Sequence, residues 1–170
     1  MKNKRNKGIT LISLIITIII MLILAGITLY GSKNLINEAK IEEVKTNMLL
    51  IEAKAREYVE EVNFKMGPQK DATKKAEAIQ EVYITKVGLV AANDASLAIS
   101  VPTDSGIDLS KCYAVTETAL NNMGLNKIEL QHGEYYLIKF NEEEAVVEEI
   151  YNTLGYEGNY SLTQLELIDG

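Results

Sequence analysis

The spacing of apolar side chains along the chain changes character three times. Residues 9–30, ITLISLIITIIIMLILAGITLY, contain no charge and are almost all apolar. As a helix these 22 residues rise about 33 Å, enough to cross the hydrocarbon core of a bilayer. From residue 35 the pattern becomes amphipathic. Ile41, Val44, Met48, Ile51, Ala55, Tyr58 and Val62 recur in steps of three and four, while Glu42, Glu43, Lys45, Glu52, Lys54, Arg56 and Glu60 fill the other faces. That spacing predicts one helical stripe buried against a partner surface. No linker separates the two patterns, so a single long helix is expected, ending at Gly67-Pro68 in GPQKD (67–71). Gly26 and Gly31 are its weak points, because a helical Gly costs about 1 kcal/mol relative to Ala.

Beyond residue 71 the periods are shorter. ATKKAEAIQEVYI (72–84) reads as a short helix or a helix-to-strand passage, and SLAISVPTDSGIDLSK (96–111) is rich in turn formers. CYAVTETALNNMGL (112–125) contains a helix signal starting near Thr116 and stopping at Gly124. EYYLIKF and AVVEEIY flank NEEE within 133–151, the pattern of an antiparallel hairpin with a loop of about four residues. SLTQLELI (161–168) alternates imperfectly at Leu162, Leu165 and Leu167 and is expected to form an edge strand. The predicted class is α+β: a long N-terminal helix, greasy then amphipathic, packed on a small antiparallel sheet. The expected divisions are 1–8, a basic leader; 9–30, an apolar helix; 31–66, its amphipathic continuation; and 67–170, a globular head.

Charge sharpens this division. Lys2, Lys4, Arg5 and Lys7 lie immediately before the apolar run, so the positive-inside rule places the N-terminus in the cytoplasm and the remainder outside it. The chain has 17 Lys and Arg against 24 Asp and Glu, net −7. Without the four cations of residues 1–8, thirteen remain against the same 24, a net of −11. An acidic head argues against direct binding of nucleic acid or anionic lipid.

Candidate chemistry is sparse. Cys112 is the only cysteine, so no intrachain disulfide can form. Its setting in LSKCYAV suits a buried small hydrophobe, with a reactive or intermolecular thiol as the alternative. His132, the only histidine, sits in turn-like QHGE (131–134) and lacks the partners of a triad or a metal cluster. Glu142–Glu144, Glu148, Glu149, Asp104 and Asp108 raise the question of calcium, yet no D-x-D/N-x-D/N pattern accompanies them. On a strand only alternate carboxylates share a face, so a solvated acidic edge is the expected reading. No glycine-rich phosphate loop is present. No cofactor, metal site or catalytic residue is expected, and the chain is not read as an enzyme.

The junction KGITLISL (7–14), a basic stretch ending at Gly8 and an apolar run opening abruptly at Ile9, resembles the leader of type IV prepilins and type II secretion pseudopilins. An ordinary secretory signal has its small-residue cleavage site after the apolar core; here the junction precedes it. The resemblance implies cleavage by a prepilin peptidase after Gly8, N-methylation of the new N-terminus Ile9, and retention of 9–30 as a membrane and then filament-core helix. Glycine before the scissile bond lets backbone enter a narrow site. The sequence departs from the family at its fifth mature position, where Ser13 replaces the usual Glu. In the family that carboxylate is thought to neutralise a neighbouring subunit's terminal amine, and an unpaired buried ammonium is costly. Ser13 therefore points to a minor or tip subunit, or to a core that uses the hydroxyls of Thr10, Ser13 and Thr17. Tyr30 stands where many major pilins have a helix-kinking Pro. The KGITLI form is similar to that of pilin-like proteins from clostridia-type Gram-positive bacteria.

The leading functional expectation is a pilin-like structural subunit of a type IV pilus or of a secretion or competence-type filament. Its partners would be the peptidase, the membrane and other pilin-like subunits, and it would reach a surface filament after assembly. The alternative is a single-pass membrane protein that keeps residues 1–8 and binds a partner through its acidic extracytoplasmic domain. A secreted enzyme would need cleavage near Ala25, where Ile23-Leu24-Ala25 is a poor signal-peptidase match.

Overall fold

A computed structural model describes the backbone of residues 6–67, 72–141 and 146–168, with side chains described at 14–22 and, within those ranges, from residue 38 to 167. The chain divides into two compact units, Met1–Lys40 and Ile41–Gly170. Helix α1 runs Asn6–Met66. It ends where Gly67 takes φ +71 and donates its N–H to the Phe64 carbonyl at 3.3 Å, a left-handed stop that only Gly adopts without steric cost. Two ion pairs on its surface, Arg56–Glu52 at 2.6 Å and Lys54–Glu57 at 2.7 Å, join adjacent turns.

Within the second unit the amphipathic stripe is buried as its spacing predicts. Val44, Met48, Ile51, Ala55, Tyr58 and Val62 are buried, joined by Val59 and Met66, with Ile41 half-buried beside them. Helix α2 (Ala72–Ile79) follows and continues as a π-helix, Gln80–Val87. Gly88, at φ +80, closes it by donating to the Ile84 carbonyl at 3.1 Å. A passage into a strand within 72–84, one of the two expectations for this segment, does not form; the segment stays helical and buries Val82, Tyr83 and Val87.

Five strands, β1 (Val90–Ala91), β2 (Cys112–Val115), β3 (Tyr136–Asn141), β4 (Val146–Tyr156) and β5 (Asn159–Ser161), form one antiparallel sheet in sequential order. The predicted hairpin is β3–β4; its connecting residues 142–145 lie outside the described residues. Strand alternation sends Val115, Tyr136, Ile138, Phe140 and Ile150 into the core shared with α1. Cys112, Ala114 and Leu137 join a second cluster with Ala92, against which Leu97, Ile99, Ile107 and Leu109 of the 92–111 loop pack. Both layers make the class α+β.

Two irregularities adapt the sheet to its sequence. Between Lys139 and Phe140 the register shifts, so Phe140 faces Val147 and Glu148 is the extra residue. Without this bulge Glu148 would stand opposite Phe140 in the core; with it, Glu148 turns to solvent and pairs with Lys139 at 2.6 Å. Phe140 is free to stack on Tyr83, ring centroids 4.3 Å apart, with Tyr113 edge-on to both. Between Tyr151 and Tyr156 the pairing with β5 is also interrupted. There Asn152 Oδ1 accepts from the N–H groups of Leu154 (2.9 Å) and Gly155 (3.3 Å), satisfying amides that the ladder leaves open.

Helix α3 (Glu117–Asn122) starts where predicted: Thr116 is its N-cap, with Oγ1 accepting from Ala119 N–H at 3.3 Å, and Gly124 follows its end at φ +74. The edge strand expected over 161–168 is corrected. Only Ser161 belongs to β5, and Leu162–Ile168 form helix α4. Ser161 Oγ accepts from Gln164 N–H at 3.1 Å, and Gln164 Oε1 accepts from Ser161 N–H at 3.0 Å, a reciprocal capping box. Leu162 and Leu165, three apart, then enter the core from one helical face.

Gly155 gives a direct test of the β4–β5 irregularity. It has φ +64, and a Cβ there would lie 2.4 Å from Tyr160 Cε1. Gly155→Ala is expected to lower stability by more than about 1 kcal/mol in denaturant unfolding. Introducing Tyr160→Ala beside it should recover the part due to the clash and leave the part due to φ, so a coupling of zero in the double-mutant cycle would exclude the clash.

Candidate functional site

The residues singled out at the leader junction, Gly8, Ile9 and Ser13, lie within α1, and their side chains are outside those described. The side chains described nearby are those of 14–22. Leu14, Ile15, Ile16, Ile18, Ile19, Ile20, Met21 and Leu22 are between 48% and 67% exposed. Consecutive residues of a helix point about 100° apart, so this run presents hydrocarbon on all sides. A helix apolar all round has its stable environment in lipid or among other apolar helices rather than in water. Among the described residues no helix is long and apolar enough to cross a membrane; residues 9–13 and 23–30 of the predicted span lie outside the described side chains.

In the second unit the polar candidates resolve into structural duties. Asp108 caps a single helical turn, Leu109–Lys111: its Oδ1 accepts from Ser110 N–H at 3.1 Å and from Ser110 Oγ–H at 2.6 Å. These bonds hold its carboxyl below the usual range. Asp104 lies exposed in a turn. Glu149 accepts from Ile150 N–H at 3.2 Å and Thr163 N–H at 3.4 Å, and Glu148 is paired with Lys139. Glu142–Glu144 fall outside the described residues. Among the described residues no three His, Cys, Asp or Glu side chains gather as a metal-binding group. His132 is exposed at the rim of a groove of about 500 Å³ between α3 and the 130–135 turn, with Leu97, Leu130 and Glu117 also lining it.

Cys112 is 4% exposed, and burial pushes its thiol up to about 11. A thiol so placed is protonated at neutral pH and inert as a nucleophile. Of the two readings open for this residue, the structure favours the small buried hydrophobe.

The sequence reading missed one polar feature. Glu134, 3% exposed, accepts from Gln131 N–H at 2.9 Å through Oε2 and from Asn152 Nδ2–H at 2.6 Å through Oε1. Asn152 is itself 1% exposed. On the same sheet Tyr136 hydroxyl accepts from Asn47 Nδ2–H of α1 at 3.2 Å, and burial pushes the Tyr136 phenol up to about 12. These side chains connect the 131–134 turn, β4, β3 and α1 within the core. The available signal is the polar pair Asn152-Thr153 directly after the Ile150-Tyr151 of β4.

A family model described as the prokaryotic N-terminal methylation motif matches residues 3–29. This is the type IV pilin leader, and the chain carries it over the segment where KGITLISL stands. No curated protein and no solved structure is significantly similar to the chain.

The buried Cys112 thiol and Tyr136 phenol contribute to the alkaline stability of the fold. Burial raises the Cys112 thiol from its ordinary 9.0 to about 11 and the Tyr136 phenol from its ordinary 10.0 to about 12. The unfolded chain therefore loses these protons first, and stability, full below about pH 9, falls as pH rises through 9–12. Unfolding midpoints against pH should show that decline, and Cys112→Ala should flatten its lower part. Native Cys112 should also resist iodoacetamide at pH 8 until the protein is unfolded; rapid stoichiometric labelling of the native protein would contradict its burial.

Proposed function

We propose that the chain is a pilin-like structural subunit, made as a precursor, cut after Gly8 by a prepilin peptidase and methylated on Ile9. The observation that carries this reading is a coincidence of two findings. The methylation motif covers 3–29, and the described side chains inside it, 14–22, are apolar except Thr17 and exposed on every face. The N-terminus lies in the cytoplasm, the segment 9–30 rests in the membrane before assembly, and the acidic remainder lies outside. Copies or related subunits then bury 9–30 against one another. Where apolar helices leave lipid for each other, close packing rather than a hydrophobic gain provides the driving force.

The role is structural rather than catalytic. Asp108, Glu148 and Glu149 are occupied with capping and pairing, and Cys112 is protonated and buried. The filament belongs to a type IV pilus or to a secretion or competence-type system. Ser13 in place of a carboxylate supports a minor or tip position, since a subunit with no neighbour ahead has no amine to neutralise.

Intact mass and the N-terminal peptide of the protein from its native membrane or surface fraction test this directly. A chain beginning at methylated Ile9 is expected. A chain still beginning at residue 1, in cells with an active prepilin peptidase, would favour a plain membrane anchor with an acidic partner-binding domain. Gly8→Leu should leave precursor in the membrane; normal processing of that variant would count against cleavage at this bond. Ser13→Glu separates the two accounts of Ser13. Higher polymer yield means that the missing carboxylate limits assembly, and loss of incorporation means that the core is built around the hydroxyl.

A further inference from the structure

We draw no further inference here: the strongest candidate, the uncharged patch of Thr46, Leu49, Leu50 and Ala53 on the solvent face of α1 away from the core, is an unpartnered apolar surface, and nothing in the structure shows what covers it.

Discussion

Helix α1 repeats its apolar side chains every three or four residues and the sheet repeats its own every two, and the core of the second unit forms where these two periods meet. Met48 and Ile51 from the helix and Ile138 and Ile150 from the strands are almost wholly withdrawn from solvent in one cluster. Truncating side chains of this kind typically costs about 2–5 kcal/mol, comparable with a large part of a domain's net stability. Other features of the unit serve that meeting. The bulge at Glu148 exchanges a carboxylate for Val147 opposite Phe140. Asn47 and Tyr136 tie helix to sheet through a hydrogen bond, and a directional polar contact beneath an apolar face favours one register over its slipped neighbours.

What the sequence reveals follows from the strength of each local signal. The stripe from Ile41 to Val62 is legible because one face is buried continuously over six turns. Thr116 and Gly124 are legible because a cap and a left-handed stop use few residue types. Strand β2 is not, since Cys112 and Ala114 have small side chains and little strand preference, and their burial depends on the irregular 92–111 loop folding back over them. Over 161–168 the spacing of three leucines was ambiguous between periods, and the capping box of Ser161 and Gln164 decided for helix. In sequence that capping box is S-x-x-Q, a weaker local signal than the apparent alternation of the leucines. Glu134 and Asn152 could not be paired from sequence, because nothing local relates a turn to the middle of a distant strand. At the leader the position is reversed: KGITLISL is informative as sequence, while the side chains of Gly8, Ile9 and Ser13 lie beyond those described.

One chain thus meets two different solvents. Residues 14–22 expose hydrocarbon on all faces, so their stable state is set by whatever apolar surroundings they are given. Residues 41–66 expose Glu42, Arg56 and Glu57 and bury a single stripe, so their state is set by the sheet of the same chain. The first requirement can be met by lipid or by another protein with little change in the segment itself. The second is met internally, by the sheet of the same unit. On the proposed function, a subunit passing from membrane to polymer would benefit from this separation, because changing the surroundings of one segment leaves the packing of the other intact.

The sequential order of the sheet has a kinetic consequence. Each strand pairs with the one made just before it, and β4 with both neighbours in the chain, so no pairing waits for a remote segment to arrive. Sheets of this kind have low contact order for their size and gain strand by strand. On the topology proposed above, with the N-terminus held in the cytoplasm, the residues that follow the apolar segment emerge in the same order. The α1 stripe would be waiting when β1 appears, and each later strand would find its template already in place, which shortens the time that bare strand edges are open to other chains.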